Sequence, residues 1–351
     1  MLDYDELFKL PLFELDRNAK QRVHAKWLHE LTIWHMDRCP SYKRLIDAFG
    51  EGYALPVRLF KDLDLRSIES QKITKTMMSS GTTSQIKSKI YLDKDTSMRQ
   101  SKALSHIVSD FTGSKRRLPM LIIDAEGTVR NRSMFSARTA GIRGFSIFGR
   151  DVTYALHDDM SLNLEAVREF NDRHRDETVL LFGFTFMVWK HFIQAIEELN
   201  ESDRPHFQGM LIHGGGWKKL VNVAVSPEEF AKRVKAACGI SRVCDYYGMV
   251  EQTGSISMEC EFGHLHTSLL SDVETVDPTT MKTLPNGERG LIKSISLLPS
   301  SYPGHILLTE DEGIVLGEDD CPCGRKGKYF KIFGRIPGAE VRGCSDTYEI
   351  R

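Results

Sequence analysis

The 351-residue sequence has no excess of charge of either sign: 47 basic residues stand against 48 acidic ones, a formal net charge of −1. Without a strong field of one sign, nothing gathers nucleic acid or an anionic membrane surface at long range. Long hydrophobic runs are missing too. The longest apolar-rich stretch, near Thr178 to Trp189, is too short to cross a bilayer. The opening MLDYDELFKL is acidic and lacks the basic segment and apolar core of a secretory leader. These absences lead us to expect a cytoplasmic chain with no nucleic-acid partner and no membrane span. Cysteine is sparse and odd in number, seven residues at 39, 238, 244, 260, 321, 323 and 344, which argues against a disulfide framework. Metal binding, nucleophilic chemistry or core packing remain as uses for them. What is present is apolar content, 41% of residues, sufficient at this length for one large domain or two medium ones.

Periodicity organises the chain. Val23, Trp27, Leu31 and Trp34 fall near helical spacing and predict an amphipathic helix over 17–36, while 61–74 reads as loop. Leu104, Ile107, Val108 and Phe111 form the stripe of another helix. Apolar runs at Leu118 to Asp124, Thr178 to Phe184 and Gln208 to His213 read as buried strands of a parallel sheet, with a further strand at Arg242 to Tyr247. A helix is expected over 187–199, and Ser226-Pro227-Glu228-Glu229 is a capping box that starts another. This alternation predicts an α/β fold. After about residue 262 short strands, including 290–298 and 305–309, are separated by turns at Pro285-Asn286-Gly287 and Pro303-Gly304, which predicts a smaller β-rich part.

Residues 77–89 are rich in hydroxyls around Gly81, and Lys87 or Lys89 adds charge nearby. Such a loop offers hydroxyl and backbone donors to an anionic oxygen. It is not a Walker A loop, because Ile86 occupies the position that needs glycine. On composition alone it reads equally as a polar surface loop.

Ser79-Ser80-Gly81-Thr82-Thr83 resembles the phosphate loop of the adenylate-forming superfamily, with Ser84 in place of the usual next glycine. Further resemblances follow in that family's order. Gly214-Gly215-Gly216 matches the segment laid against adenine. Tyr247-Gly248-Met249-Val250-Glu251 resembles Y-G-x-T-E, whose tyrosine packs on adenine and whose glutamate binds Mg²⁺; Val250 replaces the threonine. Thr309-Glu310-Asp311 resembles T-G-D, whose aspartate holds the ribose, and Gly334-Arg335 resembles the G-R before the interdomain hinge. The resemblance implies ATP and Mg²⁺ as cofactors and a catalytic set of Lys87, Glu251 and an acyl acceptor. It also implies the large domain of an adenylate-forming enzyme over 1–335, with parallel sheets, helices and a small distorted β part at about 260–335. Most of the usual C-terminal lid domain would be lacking, and 336–351 would form a short tail.

Within the superfamily the chain resembles the acyl-protein synthetases of bacterial bioluminescence operons (LuxE type). The matching segments are His213-Gly214-Gly215-Gly216-Trp217-Lys218-Lys219, Gly183-Phe184-Thr185-Phe186-Met187-Val188-Trp189 and Arg342-Gly343-Cys344-Ser345-Asp346. That resemblance implies ATP-dependent activation of a fatty or other carboxylic acid to acyl-AMP. Transfer to Cys344 as a thioester would follow, then delivery to a partner acyl reductase. Arg342 lies near enough in sequence to lower the Cys344 thiol pKa; by position alone the residue reads as an incidental surface thiol. Phe182, Phe184, Phe186 and Trp189, with His213, are candidates for the acyl pocket, and ordinary core packing is the rival reading. A carboxylate–CoA ligase related to phenylacetate–CoA ligase is the alternative function, and an inactive scaffold of the same fold is the third.

Cys321-Pro322-Cys323 and the earlier Cys260-x₃-His264-x-His266 together offer three thiolates and an imidazole, the ligand set of a closed structural zinc site. The C-P-C-G-R segment resembles the C-terminal part of phenylacetate–CoA ligases, and the match to their G-L-H favours His266 over His264. Two unrelated turns with free thiols are the rival reading.

Overall fold

The protein, seen here in a computed structural model, is described over residues 3–78, 87–130, 137–217 and 224–336. Contacts divide these residues into two units, 3–108 with 248–336 and 109–247.

After a single helical turn at Tyr4–Leu7, the first unit continues with helix α1, Arg17–Arg38, capped by the Asp16 carboxylate on the Ala19 N–H, and helix α2, Pro40–Phe49, with proline at its first position. The face of α1 that is buried differs from the expected apolar stripe. It carries Lys20, His24, Trp27, Leu31 and His35. The polar members are there because acceptors await them: Lys20 Nζ donates to Thr267 Oγ1 at 2.9 Å, and His24 Nε2 lies 2.7 Å from Leu269 O. Strands β1, Lys75–Met78, and β2, Lys89–Leu92, form an antiparallel pair that precedes helix α3, Lys94–Thr112. The expected loop at 61–74 holds only a short 3₁₀ turn at Ser70–Lys72 and the end of a one-turn helix.

The second unit is a parallel sheet. Its strands are β3 (Leu118–Ala125), β4 (Gly149–Leu156), β5 (Thr178–Phe184), β6 (Gln208–Gly214) and β7 (Arg242–Tyr247), in the order β7-β6-β5-β3-β4. All four pairings are parallel. Helices α4 (Ala137–Ser146), α5 (Leu164–Arg173) and α6 (Pro227–Cys238) connect strands. The helix expected at 187–199 begins earlier, at Thr185, and widens into π-helical turns over Val188–Ile193. One core lies under α5 and α6, where Val179 and Leu181 of β5 meet Phe170, Trp189, Phe192, Phe230 and Val234. The chain leaves β3 toward β4 and leaves β5 toward β6. In open α/β sheets ligands collect beyond the carboxyl ends of strands where the order reverses in this way.

The chain then returns to the first unit as an antiparallel sheet: β8 (Ser257–Glu259), β9 (Leu265–His266), β10 (Ser271–Val276), β11 (Arg289–Ser296), β12 (Ile306–Glu318) and β13 (Lys328–Arg335), in the order β10-β11-β12-β13-β9-β8. The β-rich texture expected after residue 262 is therefore present. Tyr4, Leu7, Phe8 and Trp27 pack against Leu269, Leu270, Leu297 and Leu298 beneath it.

Candidate functional site

In the second unit the candidate residues gather at the carboxyl ends of the strands. β6 ends in His213-Gly214, and Gly215 and Gly216 turn away with φ of +86° and +68°. A Cβ on Gly214 would come within 2.6 Å of Cε1 of Tyr246, and one on Gly215 within 2.9 Å of Cδ1 of Phe184. Glycine is needed there because the Tyr246 and Phe184 rings pack directly against this backbone, while Gly215 and Gly216 remain exposed. Tyr247 ends β7, half-buried.

His213 is buried, and burial pulls its pKa down to about 3, so the imidazole is neutral. Its Nδ1 lies 3.0 Å from Thr185 Oγ1, whose hydroxyl donates to Gly214 O at 3.1 Å. Nδ1 must then carry the proton and donate, which leaves Nε2 as an acceptor. Asp245 Oδ1, 3.7 Å from Nδ1, is too far for a hydrogen bond.

The aromatic candidates separate. Strand alternation turns Phe182 and Phe184 to the face where Phe182 stacks on Phe145 at 4.3 Å and on Tyr246 at 6.4 Å. Trp189 belongs to the core on the other face, 5.2 Å from Trp217 and 5.9 Å from Phe230. Phe182, Phe184 and Trp189 are all buried, whereas Phe186 is half-buried. One pocket wall cannot contain all four.

Sequence reading did not single out Asp124 and Arg138. Asp124 ends the apolar run of β3, and its carboxylate takes Nε and Nη2 of Arg138 at 2.6 Å each, with Thr128 Oγ1 at 2.7 Å. Both side chains are buried. The pair ties the start of α4 to the point where the strand order reverses. An apolar run that ends in an acid was the available signal; nothing local identified Arg138 as its partner.

In the first unit, Glu251 sits in a single 3₁₀ turn, Val250–Gln252, and is only 5% exposed. Asp311 on β12 and Arg335 on β13 are register partners, with Arg335 Nε 3.6 Å from Asp311 Oδ1. Thr309 Oγ1 accepts from the Asp311 N–H at 3.1 Å and donates to Ile292 O at 2.9 Å, fixing the strand beneath the carboxylate. Glu310, which stands where the resemblance expects glycine, lies 3.8 Å from Arg58 Nε. Lys87 is half-buried just before β2. A single buried carboxylate such as Glu251 suits Mg²⁺, which binds through one or two carboxylates plus phosphates and keeps several waters.

Cys260, His266, Cys321 and Cys323 converge, their ligand atoms all within 4.8 Å of one another. Cys260 Sγ and Cys321 Sγ are 3.9 Å apart, and His266 Nε2 is 3.3 Å from Cys323 Sγ. Tetrahedral zinc at about 2.3 Å from each sulfur needs similar spacing. His264 stands outside the group, with Nδ1 3.3 Å from Cys321 Sγ, placed to hydrogen-bond the sulfur. Tyr329 stacks on both histidine rings. Burial pushes the Cys321 thiol up to about 12 and raises Cys260, while it lowers His266 to about 4. A bound cation would displace the thiol protons and find the imidazole already neutral.

The candidate phosphate-loop residues Ser79, Ser80, Gly81, Thr82 and Thr83 lie outside the described residues, as do Lys218, Lys219 and Cys344.

The model of the family described as acyl-protein synthetase, LuxE, matches residues 8–350. Two curated relatives carry the name long-chain-fatty-acid–luciferin-component ligase. The one from Aliivibrio fischeri is 26% identical over 182 residues, covering 50% of this chain and 46% of that protein. The one from Vibrio harveyi is 28% identical over 147 residues, covering 38% and 35%. The matched stretches thus span less than half the length of either relative. Among solved structures, an open conformation of 2-hydroxyisobutyryl-CoA ligase in complex with 2-HIB-AMP and CoA superposes with a TM-score of 0.68 at 17% identity, covering 93% of this chain and 77% of that one. The same enzyme in the postadenylation state gives 0.67 at 16% identity, covering 92% and 69%. These similarities establish the fold, that of acyl-CoA ligases and other adenylate-forming enzymes.

Proposed function

The chain belongs to the LuxE family of acyl-protein synthetases, and from that premise we propose that it is a ligase that activates a fatty or other carboxylic acid with ATP. The family match along nearly the whole chain carries this reading. The substrate carboxylate attacks the α-phosphorus of ATP, an acyl-adenylate forms and pyrophosphate leaves. Attack of an anion on a polyanion gains most from positioning and charge neutralisation. Glu251 would hold Mg²⁺, whose charge offsets that of the phosphates. The glycine backbone at 214–216, exposed at Gly215 and Gly216, and the Tyr247 ring suit the adenine, and Asp311 suits the ribose hydroxyls. Lys87 and the hydroxyls at 79–83 suit the phosphates, and Phe182 and Phe184 on their shared face suit the acyl chain.

In the second step the Cys344 thiolate attacks the acyl carbonyl, AMP leaves, and the acyl group becomes a thioester for delivery to an acyl reductase. Intact mass after incubation with Mg²⁺, ATP and a panel of fatty and aromatic acids tests both steps. A hydroxylamine-labile acyl adduct on the wild type, absent from Cys344→Ser, is the expected result. Acyl-CoA formed only with added CoA, at equal rates in both proteins, would replace this reading with a carboxylate–CoA ligase.

The four converging ligands support a structural zinc ion, closed to substrate because all four positions are filled by protein. About one zinc per chain by elemental analysis is expected; purified protein free of zinc and unresponsive to it would remove the assignment.

A further inference from the structure

We propose that Tyr302 and Gln252 are positioning residues for Glu251. They lock its turn against the loop at 299–305, so that the carboxylate meets the divalent cation of the nucleotide in one fixed orientation. The proposal rests on the acid-activating reading above and adds to it a device that no motif contains.

Tyr302 is fully buried, and its hydroxyl donates to the backbone carbonyl of Glu251 at 2.9 Å. Gln252, the next residue, is 2% exposed and spends its amide on the same loop and the neighbouring strand. Its Nε2 donates to Gly304 O at 2.9 Å and to Ser294 O at 3.1 Å, and its Oε1 accepts from Ser294 Oγ at 2.6 Å. Gly304 can be nothing larger. A Cβ there would sit 2.3 Å from Tyr302 Cε2 and 2.9 Å from the Glu251 carbonyl oxygen. The Glu251 turn is therefore gripped at its carbonyl by a phenol and at its following residue by an amide.

The loop that does the gripping is itself pinned by the amino-terminal part of the chain. Trp34 Nε1 donates to Ser300 O at 2.8 Å, and His35 Nε2 lies 3.2 Å from Pro299 O. The Ser67 N–H donates to Ser301 O at 2.8 Å, and Ser301 Oγ donates to Tyr91 O at 2.8 Å. Buried polar networks with their bonds made are rigid, and a carboxylate that must meet a cation within a fraction of an ångström gains from that rigidity.

Tyr302→Phe removes one oxygen and keeps the ring. Manganese affinity is measured by electron paramagnetic resonance in the presence of a non-hydrolysable ATP analogue, alongside analogue affinity without metal and thermal unfolding. Loss of a net 1 kcal/mol or so of positioning predicts manganese affinity weakened about five- to ten-fold, with metal-free nucleotide affinity unchanged. Ser294→Ala, which removes the hydroxyl bond to Gln252 Oε1 and leaves the two backbone bonds of its Nε2 in place, should shift manganese affinity in the same direction by a smaller amount if Tyr302→Phe folds poorly. Lowered melting temperature with wild-type manganese affinity in both variants would overturn the proposal and leave Tyr302 and Gln252 as core packing. A wild-type chain that binds the analogue with no metal effect would instead remove the acid-activating reading, and this proposal with it.

Discussion

Asp124 and Arg138 show how much one residue pair can decide. The bidentate pair is buried at the carboxyl end of β3, and both charges depend on each other for compensation. Asp124→Ala would strand a guanidinium in the interior, at a cost of about 3–5 kcal/mol, whereas replacing both partners by apolar residues costs much less. Urea unfolding should show Asp124→Ala far less stable than Asp124→Leu/Arg138→Met; equal losses would mean that the pair is not mutually compensated. The same contrast explains which candidate residues a sequence reading can single out. Glu251, Asp311 and Arg335 could be picked out because each sits in a short contiguous motif. Arg138 lies 14 residues from its partner, and Tyr302 lies 51 from the carbonyl it holds. Such contacts exist only once the sheets have assembled, and no local pattern encodes them.

At the scale of elements, the central strands were legible because strands of a covered parallel sheet are buried on both faces and read as apolar runs. β3, β5 and β6 are of this kind. β4, Gly149–Leu156, was not: it ends the strand order of its unit, exposes Arg150, Asp151 and Val152 in succession and is buried only at its ends. β12 runs on to Glu318, well past the expected 305–309, because its acids Glu310 and Glu312 stand half-buried while Thr309 and Gly313 remain inside. The cysteine turns were legible as halves; their meeting was an inference from ligand count. Their elements give that meeting a consequence. Cys260 follows β8, His266 is on β9, and Cys321 and Cys323 occupy the turn between β12 and β13, so a metal would cross-link a two-residue strand to a hairpin. A strand this short has few bonds of its own. Chelation, or Cys321→Ser, should lower the melting temperature by roughly 5–10 °C, and zinc should restore it in the chelated wild type alone. Unchanged melting after complete removal of zinc would sink the structural role.

For the molecule as a whole, the unusual load is buried neutral histidine. Burial lowers His24 to about 4, His213 to about 3 and His305 to about 3, and pushes His35 well below its ordinary value. His213 lies in the 109–247 unit and the other three in the other unit. In the unfolded chain each titrates near pH 6.5. Below that pH the unfolded state binds protons that the folded state refuses, so stability falls as pH falls. Each histidine contributes a slope of about 1.4 kcal/mol per pH unit until its folded pKa is reached. Asp272 acts in a lower window. Although burial alone would raise its pKa, Lys20 and Lys328 hold it at about 2, and its stabilising contribution is lost only as pH falls from its ordinary value near 3.8. Melting temperature should therefore decline steeply between pH 6.5 and 5, above the window in which Asp272 is protonated. His213→Gln should flatten that decline for the unit that contains it, if the variant folds with the Thr185 bond kept. A melting temperature constant from pH 7.5 to 5 would mean that these imidazoles take up protons without leaving their sites, and that their burial imposes no pH limit on the fold.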